Sequence, residues 1–371
     1  MKYFISVFLF ILVPAMAYPQ SVSVSAVSAH SGNNLSSFPL LGGTVTSSND
    51  NIRVQGSSET EDFGNVASWT LSPENIKVGL LSRGQELSLS QLDHNGYLLV
   101  EKNLEFFDPS DETLAIYMFD DGRAIVRDNV ANFSFFDAAG EPQYSVSNSS
   151  QSSDGERESQ LAADPAGRTI VLYNPVIAYG NQTGSQARLL FGNEDNEVFF
   201  RDRNRQVTDV KVSKNGALIT LLVTSAGGDE VLVFDRFGSS INSIDLDAGQ
   251  KGAVLSDNGA YLTVYSGSRA QVYNTLTGER LGSTSSRASI IYASYQPEDE
   301  TIIILGGSEN NLRISDPMIT AVHLTQRQIA REDIGLSLSI SDMADVTLER
   351  QGVNQFRIKG LNQHLDIRTS F

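Results

Sequence analysis

Two short turn motifs recur along this chain, and their spacing constrains its fold more than any other feature. The first motif combines Asp, Ser or Asn with Gly and precedes an apolar run. It occurs at residues 93–96, 120–122, 164–167, 213–216 and 256–259, with a degenerate copy at 296–299. Asn-Gly and Asp-Gly tolerate the positive φ that a tight turn between twisted strands requires. The motif therefore predicts a succession of β-hairpins.

The second motif places Asp, Asn or Gly after an aromatic residue or Ser. It occurs at residues 107–108, 136–137, 191–192, 234–235, 273–274 and 315–316. The copies lie about 42 residues apart on average, which is the length of a four-stranded propeller blade. Two intervals are irregular. Either the blade ending at 137 is short and followed by the polar insertion 145–160, or one copy is assigned to the wrong position.

The runs between these turns predict an all-β fold. Segments such as 169–173, 217–222 and 301–305 are too short and too β-branched for helices. The one weak helix candidate is 324–333, whose charges suit a short surface helix or a loop turn. One more period places further units near residues 66 and 358. A blade shared by the two ends of the chain gives a β-propeller of about seven four-stranded blades, and separate end blades give eight. We prefer seven, because a ring closed by strands from both termini leaves no exposed edges.

The N-terminal residues predict export. Met1-Lys2 is followed by the apolar run 3–13 and by Ala15-Met16-Ala17, the pattern of a signal peptide cleaved near Ala17. A retained anchor is the alternative, but the apolar run is shorter than the roughly 20 residues that span a bilayer. Residues 1–17 are thus expected to be removed, leaving a secreted or periplasmic chain.

The mature chain divides into an arm and one domain. Residues 18–60 are rich in Ser, Asn and Gly and predict a linker or N-terminal arm, and residues 61–371 form the propeller domain. Within the arm, 21–29 alternates polar and apolar residues, which fits a half-buried strand or a low-complexity tail equally well. There is no cysteine, so burial of apolar side chains must hold the fold without disulfides.

The charge balance limits the partners. The chain has 27 Lys and Arg against 44 Asp and Glu, a formal net charge of −17. This field excludes nucleic acid as the partner, because phosphate recognition begins with positive charge. No stretch after the signal peptide is long and apolar enough to cross a membrane, so the mature chain is not expected to be embedded in one. A monomer is expected.

The repeats resemble those of a known group of proteins. The turn and strand sequences SKNGALITLLV and SDNGAYLTVYS, followed by VFD and VYNTLTG, are similar to bacterial secreted β-propellers related to the WD-repeat and TolB-like families. The resemblance covers about residues 90–316. It departs from the WD repeat, because Phe-Asp, Tyr-Asn or Ser-Asp replaces the Trp-Asp dipeptide. Such propellers include scaffolds, receptors, lactonases and quinoproteins, so the resemblance implies a fold and leaves the function open.

Few catalytic motifs are present. The four histidines include no pair at i, i+4 spacing, and neither a Gly-x-Ser-x-Gly elbow nor a phosphate-binding Gly-rich loop occurs. Acidic clusters at 120–121, 194–197 and 229–230 could hold calcium through oxygen ligands, or they are solvated turns. No cofactor is predicted, calcium is the one metal considered, and its ligands are not assigned.

One cationic segment interrupts the acidic field. Arg201, Arg203 and Arg205 could grip a carboxylate, a phosphate or an acidic glycan through their forked donors. The intervening Asp202 also fits an exposed turn whose charges balance nearby acidic residues. These three arginines are the predicted binding residues, and no catalytic residue is predicted.

Two functions are consistent with the sequence. The first is an exported, non-catalytic binding or scaffold propeller whose rim loops recognise a protein or glycan in the cell envelope. The alternative is a metal-dependent hydrolase or lactonase-type enzyme with carboxylates in the central channel. Several Asp, Glu, Asn or His side chains converging on one central point would favour the enzyme, whereas an apolar or plugged channel beside an aromatic or arginine-lined rim would favour the binding protein.

Overall fold

A computed structural model describes residues 21–28, 36–48, 50–128, 132–147, 159–179, 182–190, 196–310, 313–340 and 346–371. These residues form antiparallel β-sheets and one 3-10 turn, Pro297–Asp299, so the all-β prediction is confirmed. The predicted signal peptide and residues 148–158 of the polar insertion lie outside the described residues. None of the described residues forms a helix with the length and apolar character of a membrane span.

Eight sheets of four strands follow one another along the chain, and we number them 1 to 8. Sheet 1 contains β2 (Ser36–Leu40), β3 (Gly43–Ser48), β4 (Asn51–Gln55) and β5 (Thr60–Phe63). Sheet 2 contains β6 (Val66–Leu71), β7 (Lys77–Arg83), β8 (Leu87–Asp93) and β9 (Leu98–Leu104). Sheet 3 contains β10 (Ala115–Met118), β11 (Ala124–Arg127), β12 (Asn132–Phe136) and β13 (Pro142–Ser147). Sheet 4 contains β14 (Gln160–Ala163), β15 (Ile170–Tyr179), β16 (Gln182–Leu190) and β17 (Asn196–Asp202).

The second half of the chain continues the pattern. Sheet 5 contains β18 (Gln206–Val212), β19 (Leu218–Ser225), β20 (Gly228–Asp235) and β21 (Ser240–Leu246). Sheet 6 contains β22 (Gly252–Leu255), β23 (Tyr261–Ser266), β24 (Arg269–Asn274) and β25 (Arg280–Ser285). Sheet 7 contains β26 (Ile290–Gln296), β27 (Thr301–Asn310), β28 (Arg313–His323) and β29 (Gln328–Asp333), and a short β30 (Leu338–Ser339) pairs with β28. Sheet 8 contains β31 (Thr347–Gly352), β32 (Gln355–Lys359), β33 (Gln363–Ser370) and β1 (Ser21–Ser28).

The sheets have the arrangement of β-propeller blades. In sheets 1 to 7 the strands lie in chain order, and the first strands of neighbouring sheets contact each other, as β6 does β10 and β18 does β22. First strands therefore lie towards the centre and fourth strands towards the outside. In sheet 8 the fourth strand is β1, which pairs with β33 from Ser21 opposite Ser370 to Ser28 opposite Gln363. Strands from both ends of the chain share this blade, as predicted.

The described residues contain eight blades, the higher of the two counts that the sequence allowed. The blade missed by the preferred count is sheet 1, which lies mostly inside the predicted linker 18–60. Its strands alternate buried Val45, Ile52 and Val54 with Thr, Ser and Arg, so their composition resembles that of a linker. The blades therefore begin before the predicted domain boundary at residue 61.

Two copies of the second motif are not equivalent to the rest, and the one at 107–108 accounts for the short first interval. The copies at 136–137, 234–235 and 273–274 join the third and fourth strands of their sheets, and the copy at 191–192 lies outside the described residues. Residues 107–108 instead lie in the connection from sheet 2 to sheet 3, and 315–316 lie inside β28. The equivalent turn of sheet 2 is 93–96. Residues 324–333 form a turn followed by β29, so of the two structures that the sequence allowed for this segment the helix is not formed.

Seven apolar clusters hold consecutive sheets together, from sheets 1 and 2 to sheets 7 and 8. Sheets 8 and 1 also touch, because β2 lies against β33. No buried apolar cluster joins these two sheets in the described part of the chain. The sides of these two sheets that point away from their apolar clusters carry Thr44, Thr46 and Arg53 on sheet 1 and Arg357 and Asp366 on sheet 8. This seam is therefore polar.

Side chains from one sheet also anchor the first strand of the next. Thr263 of sheet 6 accepts a hydrogen bond from the N–H of Tyr295 in sheet 7, at 3.0 Å. Ser185 of sheet 4 accepts one from the N–H of Val207 in sheet 5, at 2.9 Å. A first strand has no neighbouring strand on its inner edge, and buried N–H groups require an acceptor. These bonds supply that acceptor and fix the position of each blade relative to the next.

The glycine of the first motif is required at a close approach between blades. Gly216 has φ of +67°, and a Cβ there would lie 3.2 Å from both Asp164 Cγ and Thr169 Oγ1 of the preceding blade. The Thr169 hydroxyl donates a 2.8 Å hydrogen bond to the Gly216 carbonyl. Stacking of successive turns around the centre thus explains why the motif repeats.

Candidate functional site

Side chains from three separated blades meet at one point. Glu74 lies in the turn between β6 and β7 of sheet 2, and its carboxylate is 3.2 Å from the ammonium nitrogen of Lys214 in sheet 5. The same carboxylate is 3.3 Å from the Nζ of Lys359 in sheet 8, which also lies 3.0 Å from Glu349. Because sheets 2, 5 and 8 are not neighbours in the chain order, these contacts lie near the common centre of the blades. We call Glu74, Lys214, Glu349 and Lys359 the central charge network.

The lysines keep the central carboxylate ionised. Burial by itself would raise the pKa of Glu74, but the ammonium groups of Lys359 and Lys214 outweigh it and hold the pKa below its usual value. Burial likewise opposes the charge on Lys214, and the contact with Glu74 raises its pKa above the ordinary value. Only 13% of the Lys359 side chain is exposed. The network is therefore a set of mutually neutralised, partly buried charges.

Further polar groups surround the network. Asp257, in the turn between β22 and β23, has its pKa raised by burial first and by Glu298 and Glu349 next, against the effect of Lys214. Burial lowers the pKa of His364 to about 4, helped by nearby Arg357 and Lys359, so this imidazole is neutral at pH 7.

The central charge network has one feature expected of a metal-dependent enzyme and one expected of a scaffold. Several carboxylates do converge, and lysine ammonium groups lie between them. Within the described residues no group of three or more His, Asp or Glu side chains is arranged to hold a metal ion. Chemically, the arrangement cross-links blades through ion pairs.

The predicted arginines lie at the outer part of sheet 4 and have different environments. Arg205 is engaged: its guanidinium is 2.8 Å from Asp202 and 2.6 Å from Glu230 of sheet 5, and it lies 5.4 Å from the ring centroid of Phe200. Burial opposes its charge, but the hydrogen bonds to Glu230 and Asp202 raise its pKa. Arg205 therefore ties sheet 4 to sheet 5. Arg203 lies in the exposed connection between β17 and β18.

Arg201 is positioned by a ladder of polar side chains that crosses sheet 4. Buried Asn174 donates to the Ser159 hydroxyl at 2.9 Å, and buried Gln186 donates to the Asn174 carbonyl oxygen at 3.4 Å. Arg201 then donates from Nε and Nη2 to the Gln186 Oε1, at 3.2 and 2.9 Å. Each step joins one strand to the next, so the inside of the blade fixes the direction of the Arg201 guanidinium at its outer edge.

Arg188 joins Arg201, and sequence reasoning missed it. It lies on β16 two residues from Gln186, which faces Arg201, so both arginines are on the same face of sheet 4. Arg188 donates to the Ser147 carbonyl of sheet 3 at 3.4 Å. Burial lowers its pKa, and the charge of Arg201 lowers it further. Neither arginine forms an ion pair with a described carboxylate.

A cleft of about 390 Å³ lies elsewhere, on the outer part of sheet 1. Its walls include Thr46, Asn51 and Phe63, and Arg53 bonds Asp62 at 2.7 and 2.9 Å across it. The cleft includes Thr46 and Arg53 of the polar side of sheet 1, and it shares no residue with the central charge network or with the arginines of sheet 4.

Comparison with known proteins supports the fold. No family model matches the chain, and no curated protein matches it in sequence. Among solved structures, BamB from Moraxella catarrhalis is similar with a TM-score of 0.55 and 14% identity, covering 94% of this chain and 100% of that chain. The WD40 domain of SCAP from fission yeast is similar with a TM-score of 0.55 and 9% identity, covering 94% and 98%. A eukaryotic initiation factor is similar with a TM-score of 0.50 and 12% identity, covering 84% of this chain and 90% of that chain. The chain is thus a β-propeller related in fold to WD-repeat and bacterial propellers, as its repeats indicate.

Proposed function

We propose that this protein is a non-catalytic scaffold propeller that binds a partner protein through residues at its rim. The observation that carries the proposal is the central charge network, in which Glu74 is held by lysines from two other blades. An enzyme that used central carboxylates for a metal would need them around an open position. Here ammonium groups lie between the carboxylates, which favours a structural role for the centre and leaves the rim for recognition.

The rim residues in this proposal are the predicted arginines. Rigid scaffolds commonly display their binding residues on connections between strands, and Arg203 occupies such a connection. Arg201 is held in a fixed direction, whereas Arg205 supports the site by fixing sheet 4 against sheet 5. A glycan is the alternative ligand, since forked donors also suit its acidic groups.

The place of action is part of the same proposal. Cleavage near Ala17 would deliver the chain to the periplasm or the exterior, where we expect it to act as a monomer on a partner in the cell envelope. No cofactor is required for this function. Calcium bound at the acidic turns would instead support the metal-dependent hydrolase.

The experiment uses the mature chain from Tyr18 onward. Its partners in the envelope are captured by cross-linking and compared between the wild type, Arg203→Glu, and the matched control Arg236→Glu, which reverses an exposed charge in the turn between β20 and β21 of sheet 5. We expect one partner protein to be lost with Arg203→Glu and kept with the control. The proposal fails if elemental analysis finds a stoichiometric divalent ion whose removal lowers Tm, or if both variants capture the same proteins as the wild type.

A further inference from the structure

We propose that Arg188 and Arg201 form a binding site for carboxylate groups on an extended segment of the partner protein. This inference rests on the proposed scaffold function and names the site and the chemistry of its ligand. It adds Arg188, which lies on a neighbouring strand, and it leaves out Arg205, whose guanidinium is already bound to Asp202 and Glu230.

The two neighbouring arginines are electrostatically unfavourable in the free protein. Two like charges on adjacent strands of one face repel each other, and burial of Arg188 strengthens the effect. The chain has 44 acidic residues, yet no described carboxylate pairs with either arginine. An anionic ligand group between the two guanidinium groups relieves this repulsion and gains two charge-assisted hydrogen-bonding partners.

Arg201 is preorganised for a ligand. The bonds to Gln186 use its Nε and Nη2 atoms and leave the Nη1 group for a ligand. Because Ser159, Asn174 and Gln186 are buried and bonded in series, the guanidinium does not need to be ordered on binding. An arginine that only balances nearby surface charges does not need a series of buried, hydrogen-bonded side chains to hold it. Arg201, near the blade edge, is held by such a series.

The net charge of the chain and the free edge of sheet 4 favour a protein segment with few charges as the ligand. The net charge of −17 repels long polyanions, including polyuronates and nucleic acids, so the ligand carries a small number of carboxylates. Arg201 also lies on β17, the outermost strand of sheet 4, whose outer backbone edge pairs with no described strand. An extended peptide can pair with such an edge and direct alternate side chains towards one face. Acidic residues at every second position would then face Arg201 and Arg188.

The test uses two labelled peptides in fluorescence anisotropy. One is acetyl-EVEVEVE-amide, which presents all its carboxylates on one face when extended, and the other is its glutamine counterpart QVQVQVQ. Binding is measured for the wild type, Arg188→Gln, Arg201→Gln, the charge-conserving Arg188→Lys and Arg201→Lys, and the control Arg236→Gln. Circular dichroism and Tm establish that each variant is folded. If Arg188→Gln is unstable, Arg188→Lys is used in its place to test the role of Arg188.

The site predicts a clear ranking of affinities. Each glutamine variant weakens binding of the glutamate peptide about tenfold, as expected for loss of a charge-assisted hydrogen bond, and each lysine variant weakens it less. The control leaves it unchanged, added salt weakens it, and the glutamine peptide does not bind. The proposal is overturned if both peptides bind equally, if Arg188→Gln and Arg201→Gln stay within twofold of the wild type, or if polygalacturonate competes more strongly than the peptide.

Two further outcomes separate the possible failures. If binding appears only after Asp154, Glu156 and Glu158 of the polar insertion are changed to their amides, the chain's own carboxylates occupy the arginines and the proposal is overturned. If the envelope partner is still captured by the Arg188→Gln, Arg201→Gln double variant, this site is wrong while the scaffold function stands. Glutamate-peptide binding by a wild type that captures no partner supports the site and contradicts the scaffold function.

Discussion

The shared blade at the two ends of the chain can be tested by a designed disulfide. Ser21 of β1 and Ser370 of β33 are directly opposite each other, with their hydroxyl oxygens 3.4 Å apart. The chain contains no cysteine, so Ser21→Cys with Ser370→Cys creates the only thiols. Directly opposed residues of an antiparallel pair are close enough for a disulfide after a small adjustment.

The expected stabilisation follows from the length of the loop. The two residues are 349 positions apart. The chain-entropy relation gives about 6 kcal/mol for such a loop at 25 °C, and because engineered disulfides deliver less, we expect about 3 to 5 kcal/mol. For a chain of this size that corresponds to a rise in Tm of roughly 4 to 7 °C, reversed by reductant.

The assay is thiol titration and intact mass under mild oxidation, followed by thermal unfolding with and without reductant. The matched control is Ser23→Cys with Ser370→Cys, which shifts the register by two residues, about 7 Å along the strand. We expect the disulfide in the first pair and free thiols in the control. Two free thiols in a folded first pair, or equal cross-linking of both pairs, would refute the strand pairing between the termini.

Three more predictions follow from individual contacts. Gly216→Ala should lower the free energy of unfolding, measured in urea, by about 1 to 3 kcal/mol, because both the positive φ and the neighbouring turn oppose a Cβ. The control Gly249→Ala, which has a positive φ but open space around it, should lower it by about 1 kcal/mol. Equal losses in the two variants would exclude a role for blade stacking. Burial alone would raise the pKa of Asp299, but bonds from Arg350 and a backbone N–H outweigh it and lower the pKa. The carboxylate therefore stabilises the fold above its unfolded pKa, and this stability is lost as pH falls through the lower folded pKa. Asp299→Asn should reduce Tm at pH 7, with a difference that shrinks below about pH 4; a constant difference in Tm down to pH 2 would contradict it. A chelator should leave Tm unchanged, since lysines pair with the central carboxylates, and a Tm lowered by chelator and restored by calcium would contradict this.

The hairpins could be predicted from sequence because their determinants are local. The glycines at 167, 216 and 259 adopt positive φ at turns between first and second strands, as the motif indicates. The motif spacing was harder to interpret, because Phe107-Asp108 and Ser315-Asp316 match the residue types without occupying equivalent turns. Sheet 1 was not predicted for a related reason: one of its sides is polar, so the composition of its strands resembles that of a linker.

The candidate sites depend on contacts that no local pattern contains. Glu74, Lys214 and Lys359 belong to separate blades, and only the packing of these blades in the folded chain brings their charges together. The segment with Arg201 stood out as cationic, but its partner Arg188 becomes visible only when β16 and β17 are in register. Sequence reasoning therefore found one half of the proposed site.

Ion pairs between distant blades at the centre are the main support for a binding scaffold. A double-mutant cycle of Glu74→Gln and Lys214→Gln in urea unfolding tests this directly, with Glu74→Gln and Lys251→Gln as a pair that has no contact. Because both side chains are more than one third exposed, we expect a coupling free energy of only about 0.5 to 1 kcal/mol in low salt, reduced in high salt. Additive effects, with coupling no larger than that of the control pair, would contradict the central charge network and with it the main support for a binding scaffold.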